Sequence, residues 1–137
     1  AAKLDKLIPT LRQPVLGICV GLQVMCLSSE EGNAEGLGIF DTHVHRFPAS
    51  ATEKVPHVGW NSIENLSSKL FRNIASGEYV YYVHSFYADT CCDTIATTRY
   101  GLMFSAALKY ENFYATQFHP EKSGDTGEKI LKNFLSL

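Results

Sequence analysis

A cysteine held between two glycines, and a histidine two residues before a glutamate, have the types and spacing for covalent chemistry. Cys19 lies in Gly17-Ile18-Cys19-Val20-Gly21, and His119 and Glu121 flank Pro120 far downstream. A G-x-C-x-G stretch behind a short apolar run fits a nucleophile elbow, with Cys where G-x-S-x-G hydrolases carry Ser. Such a turn lifts the side chain clear of a sheet at the start of a helix. Backbone N–H groups there favour a thiolate and, later, an oxyanion. The other reading of the same stretch is a buried structural cysteine, a common fate of a free thiol. The residue before a proline is pushed towards extended backbone, and in extended chain residues i and i+2 point the same way. His119 and Glu121 then lie side by side, the imidazole facing a partner and the carboxylate holding its other nitrogen. Cys19, His119 and Glu121 together supply a nucleophile, a base and the acid that orients it.

Placing these groups together requires strands that end at each of them. Residues 14–18 read as a buried strand. A helix over 21–28 follows, with Leu22, Val24, Met25 and Cys26 on its buried side. Gly17 and Gly21 permit the tight bend and the close approach of strand to helix. Residues 113–118 read as a strand running straight into His119. A helix over 125–136 closes the chain and buries Ile130, Leu131, Phe134 and Leu135. Between the two halves, residues 79–84 form a strand rich in aromatic and β-branched residues. Strands at about 93–99 and 103–109, with tight turns at Tyr100-Gly101 and Glu111-Asn112, predict antiparallel pairing at this end of the sheet.

Other stretches carry less chemistry. Leu4, Leu7, Ile8 and Leu11 mark an amphipathic opening helix that Pro9 kinks. Residues 41–47 alternate and put His43 and His45 on one face. With no third ligand evident, cross-strand polar packing is expected there rather than a metal site. Residues 54–61 are polar and turn-rich and hold the single Trp, which suits either a contact surface or packing over the sheet end. Residues 66–74 have the spacing of a short helix. His84-Ser85-Phe86 puts polar groups at a strand terminus, where α/β folds bind ligands.

The bulk properties narrow the class. The chain has 137 residues, 45% hydrophobic and 19% charged, with a net charge of −2. That suits one folded domain and excludes a disordered chain. Lys and Arg are scattered, which argues against a nucleic-acid surface. Cysteines at 19, 26, 91 and 92 form neither C-x-x-C pairs nor a regular framework, so reduced thiols in a cytoplasmic protein are expected. No apolar run has the length of a membrane span. Nothing before residue 14 can give the first strand a parallel neighbour, so the chain reads as the later part of a larger domain.

Gly-Ile-Cys-Val-Gly-Leu-Gln at 17–23, paired with Gln-Phe-His-Pro-Glu at 117–121, resembles the class I (triad) glutamine amidotransferases. Val-Pro-His-Val-Gly-Trp-Asn at 55–61, Tyr-Tyr-Val-His-Ser-Phe at 81–86 and Glu-Lys-Ser-Gly at 121–124, leading to Lys-Asn-Phe-Leu at 132–135, are similar to the glutaminase subunits of imidazole glycerol phosphate synthases. The resemblance implies an α/β fold, an open mixed sheet flanked by helices, flavodoxin-like. The family's first strands and Gly-rich oxyanion loop are missing, so residues 1–137 read as roughly the C-terminal two-thirds of the domain. It implies glutamine hydrolysis through a thioester on Cys19, with His119 as acid and base and Glu121 orienting it. The Val20 N–H would be an oxyanion donor, and Gln23 with the His84-Ser85-Phe86 backbone would hold glutamine. His57, Trp60, Asn61 and Tyr81 match positions near a β/α-barrel cyclase partner that receives the ammonia for histidine biosynthesis. No metal or cofactor is implied. The family usually has Tyr where Phe86 stands, so any role of that hydroxyl is lost. The elbow and His-Pro-Glu by themselves equally suit another amidotransferase or a stand-alone γ-glutamyl cysteine hydrolase.

Overall fold

The computed structural model describes residues 2–48, 50 and 53–137, with only the backbone of residues 2 and 3. The chain opens with α1 (Ala2–Leu7) and passes at Pro9 into a 3-10 turn. There follow β1 (Val15–Ile18), α2 (Val20–Val24), β2 (Ser28–Ser29), β3 (Ala34–Glu35) and β4 (His43–Arg46). Then come β5 (His57–Ser62), β6 (Tyr79–His84), β7 (Phe86–Ala88), β8 (Thr94–Tyr100), β9 (Leu102–Tyr110), β10 (Phe113–Thr116) and α3 (Gly124–Leu135).

The central sheet has the order β1-β10-β9-β8. β1 runs parallel to β10, whereas β10, β9 and β8 are joined by tight antiparallel turns at Gly101 and Glu111, both at positive φ. Two smaller sheets, β3-β2-β4-β7 and the β5-β6 ribbon, complete an open mixed α/β architecture. β10 is buried along its whole length because successive side chains enter opposite cores. Phe113 and Ala115 pack with Leu22, Met25, Cys26 and Phe40 on one face. Tyr114 packs with Val80, Tyr82, Phe104, Phe118 and Ile130 on the other. A strand covered on both faces reads as a continuous apolar run. No helix among the described residues is long and apolar enough to cross a membrane.

Four expectations are corrected. The helix over 21–28 stops at Val24, because the next carbonyls are claimed from outside it. Leu37 N–H donates to Val24 O (2.8 Å), Ile39 N–H to Met25 O (2.9 Å) and Gly38 N–H to Cys26 O (3.0 Å). Val24 is accordingly exposed, while Leu22, Met25 and Cys26 are buried. The helix over 66–74 is only a 3-10 turn, Lys69–Phe71. Asn65, Ser68 and Asn73 stand at positive φ and interrupt it, although Leu70 and Phe71 still reach the core. The stretch at 54–61 is largely a strand, since β6 pairs with residues 57–62. Leu135 of α3 is 82% exposed rather than buried, and Leu4 and Leu7 of α1 also face solvent.

The glycines of the elbow differ in what they permit. A Cβ at Gly17 would meet Met25 Sδ at 2.7 Å and the Gly21 carbonyl carbon at 3.0 Å, so β1 and α2 are in contact there. A Cβ at Gly21 would meet nothing within 4 Å. Closer still is Gly127, where a Cβ would lie 1.9 Å from Pro120 O. That glycine lets α3 pack on the turn that carries His119 and Glu121. Gly127→Ala is therefore expected to destabilise by about 1–3 kcal/mol through overpacking. Gly21→Ala should change stability by less than about 1 kcal/mol. Thermal unfolding of the two variants checks this, and equal melting points would refute it.

Candidate active site

The parallel ladder places the cysteine. Ile18 lies opposite Thr116, and Cys19 N–H continues the ladder to Thr116 O at 2.8 Å. Cys19 then turns sharply, with φ 55 and ψ −102, outside the regions a side chain favours. Backbone held this way costs about 1–3 kcal/mol, and such strain clusters at functional sites. On the neighbouring strand, Gln117 and Phe118 follow β10 and lead to His119, whose extended backbone (φ −98, ψ 100) precedes Pro120.

Both groups are seated on the edge of β6 that β5 leaves free. His119 N–H donates to Tyr81 O at 3.0 Å, and Tyr81 N–H donates to Ser123 Oγ at 2.9 Å. Ser123 Oγ–H in turn donates to His119 O at 2.6 Å. Two residues further along, the Cys19 thiol donates to Val83 O at 3.8 Å. Carbonyls of residues i and i+2 share one strand edge about 7 Å apart, so β6 spaces the sulfur from the imidazole-bearing turn. Val83 and the buried Ser123 are parts of this support that the sequence reading missed; the Ser in Glu-Lys-Ser-Gly was its trace.

His119 Nδ1–H donates to Glu121 Oε2 at 2.9 Å, across a 3-10 turn (Pro120–Lys122) rather than along the extended chain expected there. This leaves Nε2 as the basic nitrogen, with no hydrogen bond among the described residues. The thiol does not bond to it in this state: its contacts are Val83 O and Gln117 Nε2, which donates to the sulfur at 3.7 Å. Apo hydrogen bonds of this kind commonly close only with substrate. Burial pushes the Cys19 thiol up; the Val20 N–H and the Gln117 amide pull it down, and the Glu121 and Glu31 carboxylates push it up again. The expected bias towards thiolate is thus reversed. Burial outweighs the N–H groups of a five-residue helix.

Gln23 is buried and its amide nitrogen is committed to Phe86 O (3.2 Å) and Gln117 Oε1 (3.3 Å), so only Oε1 can meet a ligand. Phe86 O also accepts from His84 Nδ1 at 2.8 Å, and Ser85 O accepts from Phe47 N–H at 3.0 Å. The carbonyls of Ser85 and Phe86 are therefore already occupied. A cavity of about 120 Å³ beside the elbow is lined by Val20, Gln23, Ser29 and Glu31, among others. Glu31 has no counterpart in the sequence reading, because the chain reaches the site from a loop of no recognisable motif.

Of the four residues expected at a partner surface, Trp60 is exposed and packs edge-on against the half-buried Tyr81 at 5.7 Å. Asn61 is half-buried and donates to Arg99 O at 3.0 Å. His57 is a correction: it is 3% exposed, stacked between Tyr82 and Tyr100, and cannot touch a partner. On the far sheet, His43 bonds Ser28 Oγ, and His45 sits between Glu30 and Asp89. No group of three or more His, Cys, Asp or Glu among the described residues could hold a metal, and all four cysteines are free.

The model of the family "Glutamine amidotransferase class-I" matches residues 1–137. The imidazole glycerol phosphate synthase subunit HisH of Bacteroides fragilis (strain YCH46) is 59% identical over 135 residues, covering 98% of this chain and 69% of that protein. The protein of the same name from Methanosarcina acetivorans is 51% identical over 130 residues, covering 91% of this chain and 64% of that protein. Among solved structures, a putative GMP synthase component from Thermoplasma acidophilum matches with TM-score 0.70 at 23% identity, over 98% of this chain and 62% of that one. A glutamine amidotransferase from Thermotoga maritima gives 0.63 at 22% identity, over 98% and 52%. These last two likenesses are of fold.

The buried imidazoles give the fold a pH dependence. Burial pushes His57 down to about 4 and His84 down to about 3. Both are neutral in the folded chain and take up protons on unfolding below about pH 6.5. Their contribution to stability is present above that pH and is lost as pH falls towards 4 and then 3. His45 is raised by Glu30 and Asp89 and works in the opposite sense, but its side chain is 33% exposed and screened. The unfolding free energy from urea titrations is expected to be larger at about pH 7.5 than at about pH 5. The difference should shrink in a His57→Phe chain; an undiminished difference would refute the assignment.

Proposed function

The chain belongs to the class I glutamine amidotransferases, and from that premise we propose how its site works as the glutaminase part of an imidazole glycerol phosphate synthase in histidine biosynthesis. Glutamine occupies the cavity beside the elbow. Its α-ammonium faces the Glu31 carboxylate, and its N–H groups meet Gln23 Oε1. His119 Nε2 takes the proton of the Cys19 thiol, and the sulfur attacks the side-chain amide carbon. The Val20 N–H stabilises the developing oxyanion; one such donor is worth about 3–4 kcal/mol. His119 returns the proton to the departing ammonia, with Glu121 holding the imidazolium. Water then opens the γ-glutamyl thioester and releases glutamate. The raised thiol suits this order, because the proton leaves only when a base and a substrate are both in place.

The ammonia passes to a β/α-barrel cyclase partner. Trp60, exposed beside Tyr81, is the docking surface, and Asn61 and His57 support it from beneath. The working unit is a cytoplasmic heterodimer with the lyase-type activity of the synthase. The observation that carries this reading is the seating of the thiol and of the His119-Glu121 turn on one edge of β6.

Glutamate release by the purified chain, with and without a histidine-pathway cyclase and its nucleotide ligand, tests it. Hydrolysis is expected to rise sharply in the complex. Cys19→Ala and His119→Ala should each lower it by about 10⁴-fold or more. Glu121→Gln should lower it by about 10²-fold, an orienting rather than a transferring role. Turnover retained by Cys19→Ala would sink the triad assignment, and brisk hydrolysis without a partner would favour a stand-alone hydrolase.

A further inference from the structure

One line of hydrogen bonds crosses the molecule from the exposed ribbon to the cysteine. Its direction is set by two backbone carbonyls, which can only accept. Arg99 O accepts from Asn61 Nδ2 at 3.0 Å, and the same nitrogen faces His57 Nε2 at 3.4 Å. Phe86 O accepts from His84 Nδ1–H at 2.8 Å, so His84 Nε2 carries the lone pair and His57 Nδ1–H donates to it at 2.9 Å. Both imidazoles must then be neutral, each a donor on one side and an acceptor on the other.

The second half runs from the same carbonyl. Because Phe86 O only accepts, Gln23 must turn its NH₂ towards it, and that nitrogen also reaches Gln117 Oε1. Gln117, fully buried, is thereby obliged to present Nε2–H to the sulfur of Cys19 at 3.7 Å. Reversing Gln23 would set oxygen against oxygen, and reversing Gln117 would set one NH₂ against the other, inside the core; either costs the full desolvation of an unpaired group.

We propose that Gln117 is a further catalytic residue, an N–H donor aimed at the reacting sulfur, and that Gln23, His84 and His57 are positioning residues that hold it in that orientation. When the S–H bond breaks, the proton goes to His119 Nε2 and the electron pair stays on sulfur, where the Gln117 N–H hydrogen-bonds to it. The same pair then forms the S–C bond to the substrate. The proposal rests on Cys19 being the nucleophile of the glutaminase reaction, and it adds a donor to that sulfur besides Val20.

The test reads the sulfur itself. Iodoacetamide alkylation of the chain is followed against pH, with the Cys19 peptide quantified by mass spectrometry because Cys91 and Cys92 also react. The charges facing the sulfur are Glu121 after β10 and Glu31 between β2 and β3, and neither is changed in the variants. Gln117→Glu keeps the shape but replaces the donor with an anionic acceptor. The midpoint should rise by about one pH unit or more, an about tenfold loss of thiolate at neutral pH. Gln117→Met, which removes the donor without adding charge, should move it the same way by less. Near-UV circular dichroism reports whether each variant folds. Should neither fold, Gln23→Glu, which removes the N–H that orients Gln117, is expected to raise the midpoint too. An unchanged midpoint in folded variants overturns the proposal. Glutamate release retained by a Cys19→Ala chain would instead overturn Cys19 as the nucleophile of the glutaminase reaction and leave the alkylation result standing.

Discussion

The Cys19 N–H donates to Thr116 O at 2.8 Å, one bond beyond the ladder that aligns Ile18 with Thr116. That pairing decides which residues leave the sheet together: the cysteine from β1, and Gln117 to His119 from β10. Burial cannot specify this register by itself, since both faces of β10 are covered. The contact at Gly17 does so. A one-residue slip would bring Leu16 or Ile18 where Met25 and the Gly21 backbone leave no room for a Cβ. A packing constraint two residues away therefore holds Cys19 in place.

Around that point the structure separates neutral from charged groups. Inside lie two imidazoles and two amides joined by hydrogen bonds that need no ionisation. Outside lie the carboxylates of Glu31 and Glu121, one bordering the cavity and one on the imidazole. Buried networks of this kind are stabilising only when every member is satisfied, and no buried side-chain nitrogen or oxygen among the described residues lacks a partner. The carbonyl of Phe86 is the junction. It receives His84 from the ribbon and Gln23 from the elbow helix, so two separate parts of the fold meet at one oxygen.

The sequence was most legible where local chemistry and tertiary pairing agree. β6 was read with its ends correct, because aromatic and β-branched residues run from Tyr79 to a polar terminus at His84. The antiparallel strands after it follow from their tight turns. Misreadings arose where a distant segment rewrote the backbone. The loop at 37–40 takes the carbonyls that would have prolonged α2. Ser68 at φ 86 breaks a pattern whose apolar spacing was still right about burial. His57 was placed near a partner surface by resemblance alone; Tyr82 and Tyr100, which bury it, come from elsewhere in the chain. The sharp turn at Cys19 and the pairing of His119 with Glu121 were legible from two motifs. Glu31, Val83 and the roles of Gln117 and Ser123 were not, because each acts through a contact that only the folded chain creates.

The burial that raises the Cys19 thiol bears on durability as well as on turnover. Peroxide and other electrophiles attack the thiolate, and the oxidation ladder that begins there ends in acids that a cell cannot reduce. A thiol raised by burial, with Glu121 and Glu31 opposing its ionisation, offers those reagents less thiolate while the site is empty. The features that slow this residue before substrate arrives also preserve it between encounters. A half-buried cysteine raised in this way reacts slowly with oxidants until a base takes its proton.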